Sequence, residues 1–216
     1  MFIGKYNKAV SITFLGVLSS MIGIYAILGF AEPRIEIAMI CLIAAGICDM
    51  FDGKIARKLK NRTNEDEEYG IQLDSLADTI CFIVFPIVTL YGMSKYFSVD
   101  LHPILTVVVV ALFAVAGITR LSYFNLVAFS ATGPVKHYTG LPVTMTSCIF
   151  PLTYLLRYVL SPNVFVGVYL AWFALIALLF VLNFKLPKPK KNWWYATCCV
   201  MGVIVSSLLL YMMLGS

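Results

Sequence analysis

Residues 163–184 read NVFVGVYLAWFALIALLFVLNF, a run without one Asp, Glu, Lys or Arg. At ~1.5 Å of rise per residue, such a run spans the ~30 Å hydrocarbon core of a bilayer. Stretches at about 9–31, 36–57, 71–94, 102–127, 141–160 and 193–214 are comparably apolar, so the reading is seven spanning helices. The whole chain is 61% hydrophobic and 12% charged, against about a quarter charged in ordinary soluble domains, so its solvent is largely lipid. Strict alternation is absent and the segments are too long for barrel strands. The expected fold class is therefore all-α, a polytopic transmembrane helical bundle. The first apolar segment is too long for a signal-peptide core and ends without a small-x-small cleavage site, so it is expected to remain as a span.

Basic residues set the expected orientation. With the N-terminus cytoplasmic, thirteen fall inside: Lys5, Lys8, Lys54, Arg57, Lys58, Lys60, Arg62, Arg120, Lys136, Lys185, Lys188, Lys190 and Lys191. Only Arg34, Lys95 and Arg157 fall outside, and an odd number of helices then leaves the C-terminus outside. The net charge of +5 follows from this asymmetry and suits anionic headgroups, so no nucleic acid is needed to explain it. The six cysteines lie in or at the ends of apolar segments without a C-x-x-C pair and read as small buried hydrophobes. There is no internal repeat and no second domain; residues 1–216 read as one unit. Two polar stretches interrupt it, Asn61–Tyr69 as a solvated connection and Lys185–Lys191 as a basic, proline-stopped linker at the lipid surface.

Against this background the stretch DMFDGKIARKLKNRTNEDEEYGIQLDSLAD at 49–78 stands out. An intramembrane carboxylate costs at least ~2.5–3.5 kcal/mol, and here Asp49 and Asp52 end the second helix while Asp74 and Asp78 sit one turn into the third. Asp49, Asp52, Gly53 and Ala56 share one helical stripe, and Gly70, Asp74 and Asp78 share another. On antiparallel neighbours the four carboxylates converge at one depth, where they repel unless protonated or bound to cation. Hard oxygen ligands without Cys or His favour magnesium, manganese or calcium over zinc. Gly53, Ala56 and Gly70 leave room for a bulky ligand, and Arg57 is placed to pair with a phosphate. Two plainer readings stand beside this one. Capping and neutralisation by Lys54, Arg57 and Lys58 would account for Asp49 and Asp52 but poorly for Asp78, and a cation-coupled transporter would also bury carboxylates.

The chain resembles the CDP-alcohol phosphotransferase family, whose signature D-x-x-D-G-x-x-A-R, spacer, G-x-x-x-D-x-x-x-D is complete here in Asp49, Asp52, Gly53, Ala56, Arg57, Gly70, Asp74 and Asp78. The twelve-residue spacer between Arg57 and Gly70 is longer than the family's commonest form, and the usual Pro-Asn near the start of helix 1 is replaced by Asn7, then Ser11 and Thr13. The resemblance implies a six-helix catalytic core over about 1–184, with an extra helix at about 193–214. It implies that an alcohol attacks the β-phosphorus of a CDP-linked lipid and CMP leaves. By it, Asp49, Asp52, Asp74 and Asp78 hold divalent metal, two ions of Mg2+ or Mn2+, with Asp78 also serving as general base. Asp49, Gly53, Ala56, Arg57, Gly70 and Asp74 line the CDP pocket.

Arg120 and Asn125 (R-x-x-x-x-N), Lys136 and Gly140-Leu141-Pro142 resemble the phosphatidylserine synthase branch and mark the expected acceptor site. Snorkelling of Arg120 and ordinary capping at Gly140-Leu141-Pro142 are the plainer readings there. The substrates implied are CDP-diacylglycerol and L-serine in a phospholipid membrane, and the implied assembly is a homodimer. Glycerol 3-phosphate or inositol phosphate as acceptor would need more cationic groups than Arg120 and Lys136 supply. The expected location is the cell membrane, multi-pass, with the site on the cytoplasmic side.

Overall fold

The side chain of Asn7 starts the first helix by accepting from the N–H groups of Ala9 (2.9 Å) and Val10 (3.0 Å), donors that a helix start otherwise leaves without partners. In the computed structural model, which describes residues 4–59, 63–130, 137–187 and 192–214, α1 runs from Lys8 to Leu28. A short turn returns the chain along it as α2 (Ile35–Ala56), and the two pack along their length. Ser19 donates across that contact to the Cys41 carbonyl at 3.0 Å.

The third helix begins earlier than the hydropathy alone predicts. Thr63 accepts from the Asp66 N–H while Asp66 accepts from the Thr63 N–H, and Glu65, Asp66 and Glu67 place negative charge on the first turn. Residues 64–69, expected as a connection, are therefore helical. Asp74 and Asp78 accordingly lie some three and four turns into the helix rather than one. α3 (Asn64–Asp78) passes through a π-helical turn (Thr79–Val84) into α4 (Phe85–Tyr96) without a break. At ~1.5 Å per residue this helix exceeds the ~30 Å apolar slab, so its polar first turns stand beyond it.

α5 (Pro103–Ser130) and α7 (Pro162–Val181) are long and apolar. α6 (Thr146–Tyr154) is short, flanked by 3-10 turns at Val143–Met145 and Leu155–Tyr158 and carrying Pro151 within it. Buried rings lock these three together: Phe150 stacks on Phe173 at 4.6 Å and Phe113 meets Phe173 edge-on at 4.8 Å. α8 (Asn192–Leu214) lies against α2, with Gly202 facing Ile43 and Ile47. Counting α3, the π turn and α4 as one, the described residues hold the seven expected helices.

Among the described residues, four helices are long and apolar enough to cross a membrane: Lys8–Leu28, Asn64–Tyr96, Pro103–Val127 and Pro162–Val181. α2 is long enough but carries Glu36, Asp49, Asp52 and Lys54, and α6 is too short. The result is a helical membrane bundle. To it the structure adds one short antiparallel pair, β1 (His137–Thr139) with β2 (Lys185–Pro187), where only a linker was expected. Gly140 follows with φ +71°, its N–H donating to the Phe184 carbonyl at 2.9 Å. A Cβ there would sit 3.0 Å from the Phe180 carbonyl oxygen, so the turn closes against the end of α7.

At the other end of α2, Glu36 is buried. It accepts from Tyr154 at 2.6 Å and from Arg157 at 2.5 Å, and Arg157 also reaches the Tyr154 hydroxyl. This pair fastens the end of α6 to the start of α2.

Candidate functional site

Two helix faces meet at the opposite end of the bundle from Glu36. α2 brings Asp49 and Asp52 there in its last two turns, and α3 brings Asp74 and Asp78 immediately before the π turn. One carboxylate oxygen each from Asp49, Asp74 and Asp78 lie within 4.8 Å of one another. Oxygens that far apart can all reach a hard cation whose bonds are ~2.0–2.6 Å long, so the donor set fits magnesium, manganese or calcium.

Asp52 stands outside this triad but lines the same narrow cleft, with Thr13, Gly16 and Phe82 on its other walls. The residue is 7% exposed, and its carboxylate accepts a hydrogen bond of 2.7 Å from Thr13 of α1. The sequence places Thr13, with Ser11, where the family's Pro-Asn would stand near the start of helix 1, a candidate only for nucleotide contact. Gly16, one turn on, carries no motif at all.

The remaining expected residues fall around this cleft unevenly. Gly53, Ala56 and Gly70 are half-buried; Arg57, exposed at the end of α2, folds back until its guanidinium is 3.5 Å from where a Gly53 Cβ would lie. Asn125 of α5 accepts from Ser75 at 2.9 Å, beside Asp74, so this expected acceptor residue touches the aspartate helix. Arg120 is buried with its guanidinium 5.3 Å from the Phe124 ring centre. Gly140 sits at the α7 end described above, and Lys136 lies outside the described residues. Ser11 is exposed and donates to the Asn7 carbonyl at 3.1 Å. Beyond the cleft, Lys5 pairs with Glu65 and Asp66, each at 3.0 Å, and hydrogen bonds to Asp66 and then Glu65 hold its ammonium above the ordinary lysine range.

The sequence matches a known family over most of its length: the family model for CDP-alcohol phosphatidyltransferase fits residues 6–183. The chain belongs to that family. It is accordingly a membrane transferase, and the match ends before α8. Among similar proteins, a CDP-diacylglycerol–serine O-phosphatidyltransferase of Helicobacter pylori is 28% identical over 193 residues, 88% of this chain and 77% of that protein. One of the same name from Bacillus subtilis is 26% identical, covering 79% of this chain and 85% of the other. An archaetidylserine synthase of Methanothermobacter thermautotrophicus is 32% identical over 65% of this chain and 56% of its own. For a CDP-alcohol phosphatidyltransferase, carboxylates beside a half-buried glycine face and an arginine form a suitable receptor for a metal-bound diphosphate.

Proposed function

We propose that the chain transfers the phosphatidyl group of CDP-diacylglycerol to the hydroxyl of L-serine, releasing CMP. The observation that carries the chemistry is the convergence of the Asp49, Asp74 and Asp78 oxygens in one cleft. The serine names of relatives at 26–28% identity, aligned over most of this chain, support the acceptor.

Asp49, Asp74 and Asp78 would hold divalent metal, Mg2+ or Mn2+, with Asp52 beside them at the cleft wall. When bound, such ions neutralise the diphosphate and stabilise the entering and leaving oxygens. Gly53, Ala56 and Gly70 leave the nucleotide diphosphate close access to backbone, and Arg57 pairs with a phosphate at the rim. Asp78, the most deeply set carboxylate of the triad, takes the serine hydroxyl proton. The serine oxygen then bonds to the β-phosphorus, the bond from that phosphorus to the bridging oxygen breaks, and CMP departs with that oxygen. Arg120, Asn125, Lys136 and Gly140 belong to the acceptor side, where a cation can receive the serine carboxylate. The thirteen-to-three distribution of basic residues supports a cytoplasmic site and N-terminus. The working assembly is a homodimer.

Purified protein incubated with CDP-diacylglycerol, Mn2+ and labelled serine tests this directly. Expected is equimolar CMP and labelled phosphatidylserine, with Arg120→Ala raising KM for serine more than KM for CDP-diacylglycerol. CMP release only with glycerol 3-phosphate or inositol phosphate overturns the serine assignment. Absence of release with every alcohol overturns the transfer reaction and leaves cation-coupled transport as the reading of the carboxylates.

A further inference from the structure

Ionised carboxylates that face one another across two helices repel until a cation is bound, so before it arrives they cannot themselves hold the spacing of α2 and α3. Two adjacent residues at the start of α6 touch both helices just below them. On α2, Gly46 lies one turn before Asp49, and a Cβ placed on it would come within 2.1 Å of the Ser147 Oγ and 2.7 Å of the Ser147 Cβ. Ser147 thus fills a notch that only glycine leaves open. Its hydroxyl is turned back to the Thr144 carbonyl at 2.6 Å, which satisfies it within α6.

On the aspartate helix, Phe82 lies one turn beyond Asp78, inside the π turn. Pro86, four residues on, has no N–H to offer the Phe82 carbonyl. The Thr146 hydroxyl, fully buried, lies 3.3 Å from that carbonyl and 2.8 Å from the Val143 carbonyl of its own turn. The one hydrogen of this hydroxyl lies nearer the Val143 carbonyl, so Thr146 is packed against the π turn at the carbonyl that Pro86 leaves without its i→i+4 donor. π turns are uncommon and often sit at functional sites, since the extra residue re-aims what precedes it. Here Asp78 is what precedes it.

We propose that Thr146 and Ser147 are positioning residues, which set the separation of the two aspartate-bearing helices from one turn beneath the carboxylates. Neither touches substrate. The inference rests on the reading of Asp49, Asp74 and Asp78 as metal ligands. It makes the chain that follows Gly140-Leu141-Pro142, on the acceptor side, part of the frame of the metal site.

The test uses the full chain in detergent or nanodiscs, with Mn2+ alone as probe and electron paramagnetic resonance reading bound ion, alongside CMP release. Gly46→Ala is expected to weaken Mn2+ binding by about 10–100-fold, the usual effect of disturbing residues that orient metal ligands. Gly46→Ala combined with Ser147→Gly removes both atoms the new Cβ would meet, and Mn2+ affinity should then return to within about twofold of the unsubstituted chain, the scatter of independent substitutions. Thr146→Val should weaken Mn2+ binding and Thr146→Ser should not. The Thr146 pair decides the matter even if Gly46→Ala fails to accumulate as folded protein. Unchanged Mn2+ affinity in Gly46→Ala and Thr146→Val, or a double variant as impaired as Gly46→Ala, overturns the proposal. An unsubstituted chain that binds Mn2+ without releasing CMP overturns the phosphatidyl transfer and leaves the positioning role standing. One that binds no Mn2+ yet releases CMP overturns the positioning role and leaves the phosphatidyl transfer standing, and one that does neither overturns both.

Discussion

Replacing Thr13 with valine removes a single hydrogen bond from the cleft and changes little else. The Thr13 hydroxyl lies 2.7 Å from an Asp52 oxygen and 3.3 Å from the Ala9 carbonyl of its own helix. Its one hydrogen goes to the nearer and charged partner. Valine keeps the branched shape, so α1 and α2 should pack as before, while Asp52 stays in a site where it is 7% exposed. A hydrogen bond to a charged group is worth about 1.5–3 kcal/mol. If Asp52 must hold its orientation in the transition state, that loss appears in kcat/KM, and about 1.4 kcal/mol is one factor of ten. The expected fall is therefore about 10–100-fold, with Thr13→Ser near the unsubstituted rate. CMP release should be followed over a grid of Mn2+ and CDP-diacylglycerol concentrations, with thermal inactivation in the same detergent as the control for folding. A Thr13→Val protein within about twofold of the unsubstituted kcat/KM, at every Mn2+ concentration, refutes the reasoning that this bond orients a working carboxylate.

Asp78→Asn keeps the size of the side chain and removes its basicity, so turnover should fall by about 10²–10⁴-fold while Mn2+ still binds. Near-normal turnover with bound metal would remove Asp78 from the proton transfer. Arg157→Met leaves Glu36 buried with Tyr154 alone, and breaking such a pair costs about 3–5 kcal/mol. The variant should lose thermal stability yet retain the KM values of its surviving folded fraction, because Glu36 lies at the end of α2 remote from Asp49. Gly140→Ala forces an L-residue into the left-handed region, at about 1–2 kcal/mol, and puts its Cβ against the Phe180 carbonyl. A lower thermal inactivation midpoint is expected, and an unchanged one would mean the strand-flanked turn relaxes freely.

The features legible in the sequence are those that repeat with the helix. Asp49 and Asp52, then Gly70, Asp74 and Asp78, share faces because 3.6 residues make a turn, and the structure brings Asp49, Asp74 and Asp78 together. Thr63 and Asp66 have the spacing of a reciprocal cap, a signal that hydropathy does not carry, which is why a boundary placed on hydropathy falls later in the chain than the true start of α3. What the sequence did not disclose depends on contacts between apolar helices, where lipid-facing and core-facing positions look alike. Nothing in the order of residues says that Thr13 would meet Asp52, that Gly46 would receive Ser147, or that a π turn would follow Asp78. The β1–β2 pair joins segments forty-eight positions apart and only three residues long, below any pattern that alternation can reveal.

These contacts share a physical logic. Converging carboxylates gain from a cation only if they are held in place before it arrives, since each lost degree of order is subtracted from the binding energy. Helices hold a side chain better than loops do, and here all four aspartates are mounted on two helices. Yet two helices in lipid have little hydrophobic force between them, and small residues with interhelical hydrogen bonds take its place. Gly46 against Ser147, Thr146 near Phe82, Thr13 on Asp52 and Ser75 on Asn125 are contacts of that kind, and each lies within about one turn of an aspartate of the cleft. The polar contacts that would look incidental in a lipid-soaked bundle are therefore placed where rigidity is needed most.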